Sequence, residues 1–279
     1  MKVVTISLFF FIPIIVKGQV QSVFWEISGN GLAHKSYLLG TVHVAPYTLL
    51  KKFPLILEKL KQAKLAIFEN TGDTQATVTT AAVLAHNPPL DSVFTKEEYA
   101  LVDSFFSKSE FGSIQPHNNN ADLLTMAQVT ILLLHNSKMN MRFDEYLIAY
   151  TKDSLKLKVM SLESDVEQQQ YKATTATARQ YAELIVKLIQ QANAGNGAKY
   201  VSDQYLQNMQ SDLLLKRNDE TYSTVAKRNI LWLNKIEPLL NMQSCFIAVG
   251  LGHLEYKSGL ISLLKKKGYH LKPVVLHML

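Results

Sequence analysis

Four places in this sequence set an ionisable or metal-binding side chain just where a short apolar run stops: Gly40-Thr41-Val42-His43, Glu69, Glu163 and Gly250-Leu251-Gly252-His253. Two imidazoles and one or two carboxylates brought together make a metal site or a proton-transfer site. Neutral imidazole and ionised carboxylate are the usual ligands of Zn, Mn, Co or Fe, and also the usual groups that move protons. Glycine just ahead of each histidine allows a tight turn and close backbone approach. Taken singly, a carboxylate at a strand end caps a helix as readily as it serves a site, and a single histidine is more often a structural hydrogen-bonder. The repetition of the arrangement is what points to function.

The other histidines lack that setting. His34 falls in a turn, His135 ends a helical run where partial positive charge suits the dipole, and His86, His117, His270 and His277 have no comparable setting. The one cysteine, Cys245, lies inside the apolar run Cys245-Phe246-Ile247-Ala248-Val249, where a thiolate is disfavoured, so it is a poor nucleophile and forms no intrachain disulfide. A serine-nucleophile reading fails because no Gly-x-Ser-x-Gly elbow occurs.

The candidate residues need a sheet to hold them. Val23-Phe24-Trp25-Glu26-Ile27 and Ser36-Tyr37-Leu38-Leu39-Gly40-Thr41 are aromatic and branched runs separated by Gly29-Asn30-Gly31, which predicts an antiparallel hairpin. Helical spacing over residues 53–63 leads into a strand over 64–69, and further strands are predicted over 157–163, 245–249 and 271–276. Helices are predicted over 96–106, 121–134, 143–152, 181–192, 198–216, 220–241 and 259–267, with Gly195-Asn196-Gly197 as a stop. The expected fold is α/β (α+β): a central mixed sheet with an N-terminal hairpin, flanking helices, and a mainly helical insertion over residues 71–156. In an open α/β sheet, sites form where loops diverge beyond the strand ends, which is where the four candidates fall.

The chain begins with Lys2, an apolar run over residues 3–16, and Lys17-Gly18-Gln19. That run is shorter than the roughly 20 residues a bilayer crossing needs, so residues 1–18 read as a secretory signal and 19–279 as one domain. The expected location is outside the cytoplasm, periplasmic or extracellular, with membrane attachment only if the segment is retained. Its removal with Lys2 and Lys17 lowers the formal charge from +6 to +4. The remaining basic residues are scattered, which gives no nucleic-acid surface. Lys265-Lys266-Lys267-Gly268 is ordinary helix-end chemistry.

The segments from Phe24 to His43, the strand ending in Glu69, and Phe246 to Leu254 resemble the TraB/GumN family. Leu162-Glu163 and Arg228-Asn229 also resemble family pairs, while the stretch from Thr71 to Leu155 carries no family motif. The family includes the animal Tiki proteins, membrane-anchored metallopeptidases that use two Gly-x-x-His motifs and a glutamate with a divalent ion such as Mn or Co. The resemblance implies that His43 and His253 are ligands and Glu69 a ligand or general base. Gly40, Gly250, Gly252, Glu163, Arg228 and Asn229 then support them. The implied function is metal-dependent hydrolysis of a peptide or a small amide or ester. The competing expectation is a non-catalytic peptide-, haem- or iron-binding protein that uses the same crevice. Glu163 could reach the site or support it from behind. Arg228 could bind a substrate oxygen or hold its helix to Glu69 or Glu163.

Overall fold

A computed structural model describes residues 22–42, 45, 47–72, 88–119, 121–134, 142–164, 166–168, 177–194, 223–254 and 257–278. The hairpin pairs β1 (Phe24–Gly29) antiparallel with β2 (Ser36–Thr41), Phe24 lying opposite Leu39 and Ile27 opposite Ser36. Gly29, Asn30 and Gly31 turn the chain with φ of 76°, 48° and 77°, the left-handed region that glycine and asparagine tolerate best. From β2 the chain passes through α1 (Thr48–Lys51) and α2 (Pro54–Gln62) to β3 (Leu65–Phe68). Pro54 starts α2, where its missing N–H costs nothing.

The sheet order is β4-β3-β5-β2-β1-β6, with β4 (Lys158–Ser161), β5 (Cys245–Gly250) and β6 (Tyr269–Pro273) completing it. β4, β3, β5 and β2 run parallel, and β1 is antiparallel to both of its neighbours. The sheet is therefore mixed, as the sequence implied. All six residues of β5 are buried, as a central strand covered on both faces requires.

The remaining helices are α3 (Leu90–Val93), α4 (Lys96–Phe106), α5 (Leu123–Leu134), α6 (Phe143–Ala149), α7 (Ala178–Asn193), α8 (Ser223–Met242) and α9 (Leu260–Lys266). α6 continues as a π-helical turn over Tyr150–Ser154. α4 and α7 both open with capping boxes, Thr95 with Glu98 and Thr177 with Gln180, which satisfy N-terminal N–H groups from side chains.

Two apolar cores result. The first joins the sheet to α6 through Phe143 and Leu147 and to α8 through Trp232, Ile236 and Leu240. The second, among the described residues, lies between helices with no strand in it and gathers Leu90, Val102 and Phe106, Leu123 and Ala127, and Ala182, Ile185 and Ile189. Helices from inside the 71–156 stretch thus pack on α7 from outside it, while α6 belongs to the sheet.

Two strands differ from expectation: β4, predicted over 157–163, runs over Lys158–Ser161, and the last strand is shifted. The last was predicted over 271–276 and runs over Tyr269–Pro273 instead, because Gly268 at φ 92° ends α9 and turns the chain directly into the sheet. β1 then limits the pairing, and Val274 N donates to Phe24 O at 2.8 Å as the final rung. The predicted helix 198–216, the Gly195-Asn196-Gly197 stop and the leader over residues 1–18 lie outside the described residues. Among the described residues, no helix is long and apolar enough to cross a membrane.

Candidate functional site

Glu69 and Glu163 meet because the sheet ladder continues one step past two strands. β3 ends at Phe68 and β4 at Ser161, yet Glu69 N donates to Ala248 O at 3.3 Å and Glu163 N donates to Glu69 O at 3.1 Å. Both acids therefore sit side by side at the carboxyl ends of neighbouring parallel strands, 7% and 4% exposed. Two buried carboxylates that close repel each other and lose hydration unless a cation joins them.

Arg228 of α8 is that cation. Its Nε donates to Glu163 Oε2 at 2.9 Å and its Nη2 to Glu163 Oε1 at 2.6 Å, a side-on fork, and Nη2 also donates to Glu69 Oε1. Burial pushes the Glu163 carboxyl above its ordinary range, Arg228 opposes that shift, and the Glu69 charge adds to it. Burial works against the Arg228 guanidinium, but the two carboxylates outweigh it and hold the group more firmly protonated than usual. Both Glu163 oxygens thus bind Arg228, which links Glu163 to Glu69. Among the described residues of this hydrogen-bonded cluster, one arginine faces two carboxylates.

Glu69 is oriented from three sides. Gln168 Nε2 donates to Oε1 at 3.3 Å, Arg228 holds the same oxygen, and Gly250 N donates to Oε2 at 3.1 Å. Oε2 lies 3.9 Å from His253 Nε2. His253 ends a 3-10 turn (Leu251–His253) that begins where β5 ends at Gly250. Its ring is buried, lies 4.2 Å from the Trp232 ring centroid, and presents Nδ1 to Asn229 Oδ1 at 2.7 Å. The Arg228 guanidinium lies over the other ring of this stack, 4.8 Å from the Trp232 centroid. One helix, α8, thus brings Arg228, Asn229 and Trp232 to the site.

The two glycine-histidine motifs touch each other through Gly40. A Cβ placed there would stand 2.6 Å from Leu251 Cδ1, 3.0 Å from Leu254 Cδ2 and 3.2 Å from Leu251 Cα, so glycine lets the His253 turn seat on β2. Thr41 pairs in register with Gly250 and is buried, and its Oγ1 is the one buried side-chain oxygen or nitrogen among the described residues with no hydrogen-bond partner. Gly252 is different, since a Cβ there meets nothing within 4 Å. His43 lies outside the described residues.

A six-stranded mixed sheet with buried acids, an arginine and an imidazole gathered past its parallel strand ends defines an α/β protein with a polar cluster at the expected strand ends. The chain belongs to the TraB/PrgY/gumN family, whose sequence model matches residues 23–273. No curated protein and no solved structure matches it.

The family resemblance implies a divalent metal, and the described residues fit one in donor type. A carboxylate oxygen and an imidazole nitrogen face each other beside a cluster in which, among the described residues, one arginine meets two carboxyl groups. Among the described residues, no group of three or more His, Cys, Asp or Glu side chains is placed to hold a metal ion. The sequence reading missed Gln168, Trp232 and the Thr41 hydroxyl. Trp232, one turn after Arg228 on the same helix face, was legible in principle; nothing in the sequence marks Gln168.

Proposed function

We propose that this chain is an exported metal-dependent hydrolase acting on a peptide or a small amide or ester, with His43, Glu69 and His253 holding a divalent cation past the strand ends. The observation that carries this reading is the facing pair Glu69 Oε2 and His253 Nε2, 3.9 Å apart in a buried cluster where one arginine meets two carboxylates. Such a cation, Mn or Co by resemblance with Zn or Fe as alternatives, would polarise a carbonyl and lower the pKa of a bound water towards neutrality. Glu69, as ligand or as general base, is held at Oε1 by Arg228 and Gln168 and at Oε2 by the Gly250 N–H. It could therefore take a proton from water without first reorienting. Arg228 keeps the two acids together, and Asn229 and Trp232 hold the imidazole. The leader-like pattern of residues 1–18, Lys2 followed by an apolar run, supports export.

One observation favours the non-catalytic alternative, a peptide, haem or iron binder. Arg228 occupies three of the four carboxylate oxygens of the acid pair, which tempers their basicity.

Metal content decides between them. The purified chain, loaded in turn with Mn, Co, Zn and Fe, is compared with a His43→Ala, His253→Ala double variant whose fold is checked by circular dichroism. Stoichiometric metal in the parent and none in the folded variant is the expected result. Absence of metal from the parent under every loading overturns the hydrolase reading. Given metal, Glu69→Gln should lower turnover of a peptide library about 10²–10⁴-fold while the fold remains.

A further inference from the structure

The Asn229 carboxamide is wholly buried, and its Nδ2 donates to two main-chain carbonyls, His253 O at 3.2 Å and Ser258 O at 2.9 Å. A carbonyl oxygen can only accept, so these two bonds identify which end of the amide is nitrogen. The other end, Oδ1, can likewise only accept, and it stands 2.7 Å from His253 Nδ1. The proton of the neutral ring therefore belongs on Nδ1. Nε2, on the side of Glu69, carries the lone pair.

We propose that Asn229 is a positioning residue that locks His253 in the Nδ1–H tautomer, so that Nε2 faces Glu69 as a ligand or proton acceptor and, in the neutral ring, never as a donor. The geometry supports this from two further directions. Trp232 lies against the ring at 4.2 Å and resists the flip that would exchange the two nitrogens. The bonds from Asn229 to His253 O and Ser258 O fasten the backbone on both sides of residues 254–257 to α8, so the ring and the backbone that carries it are fixed by one side chain. The amide is also uncharged. It orients the imidazole without the added basicity that a carboxylate partner confers, which leaves Glu69 as the anionic donor of the facing pair. The use of Nε2 for a cation rests on the metal reading above; the tautomer lock stands without it.

The test uses the full chain, metal-free, labelled with 15N-histidine and recorded at alkaline pH where the ring is neutral. His253 is identified among the eight histidines by the signal lost in His253→Gln. Nδ1 should appear protonated and Nε2 unprotonated. Asn229→Ala should lose this state, giving a mixture or the opposite tautomer, while Asn229→Asp, which keeps the acceptor facing Nδ1 but loses both donations to His253 O and Ser258 O, should retain the tautomer at reduced stability. Affinity for Co2+ alone should fall about 10–100-fold in Asn229→Ala and recover in part in Asn229→Asp. A parent spectrum showing protonated Nε2 overturns the proposal, and so does an Asn229→Ala spectrum identical to the parent. Should Asn229→Ala fail to fold, the parent and Asn229→Asp spectra still decide. A parent that binds none of Mn, Co, Zn or Fe but shows protonated Nδ1 would remove the metal reading and leave the lock in place.

Discussion

In the sheet core, charged groups are buried: Glu69, Glu163, Arg228 and His253 are each less than a tenth exposed, and Asn229 is wholly enclosed. In the second, helical core, the charged groups among the described residues stay at the rim. Thr95 and Thr177 cap helix ends, Arg179 pairs with Glu98 and Glu183 in largely exposed positions, and the buried Thr130 of α5 returns its hydroxyl to Met126 O at 2.7 Å. Burying charge is costly unless each group finds partners, and a fold that needs only stability does better with apolar residues. The sheet core therefore bears a cost that the helical core avoids, and what distinguishes it is the candidate site.

That contrast can be broken in order of expected effect. Arg228→Met strands two carboxylates in the sheet core and should lower stability by about 3–5 kcal/mol in urea denaturation at pH 7. Without the guanidinium, the folded-state pKa of the acids lies above that of the unfolded chain, so the native state binds more protons and its stability falls as pH rises through that interval. The deficit against the parent should therefore shrink as pH drops towards the ordinary glutamate range near about 4. Ile185→Ala opens a cavity in the helical core and should cost about 2–4 kcal/mol. Metal binding by its folded fraction should nevertheless match the parent; a loss would show that the helical core shapes the site after all.

Gly40→Ala pushes a methyl into Leu251 and should cost about 1–3 kcal/mol while weakening metal binding, because the displaced turn carries His253. Gly252→Ala, with open space at its Cβ, should stay within about 0.5 kcal/mol of the parent in the same melts. Smallest is the thiol. Cys245 is fully buried and its pKa is pushed up to about 11 by that burial, so iodoacetamide at pH 8 should label the native chain far more slowly than the urea-unfolded one.

Much of the sheet was legible in the sequence, because an apolar run that stops at an acid or a Gly-x-x-His marks both a strand and its end. β3 and β5 were found this way, and Glu69, Glu163 and His253 with them. What spacing does not carry is lateral order. Nothing in the residues around Glu163 says that β4 lies beside β3, and only that adjacency lets one arginine bind both acids. The pairing of α7 with α4 and α5 was hidden for the same reason, since an amphipathic face announces burial without naming its partner. The final strand was misplaced because its register is set by β1, at the far end of the chain.

The position of β5 also governs the order in which this molecule can come into being. It lies between β2 and β3, yet its residues follow theirs by about 200 positions in the chain. Until residues 245–250 have emerged, β2 and β3 have no strand to share and Glu69 lacks the Gly250 N–H, so the site cannot nucleate from its N-terminal half. Long-range parallel pairing of this kind makes for slow folding and exposes unpaired edges meanwhile. A ribosome-bound chain halted before Cys245 should accordingly be protease-sensitive across its first 70 residues. The described elements of the helical core, by contrast, all precede residue 195 and have left the ribosome long before β5.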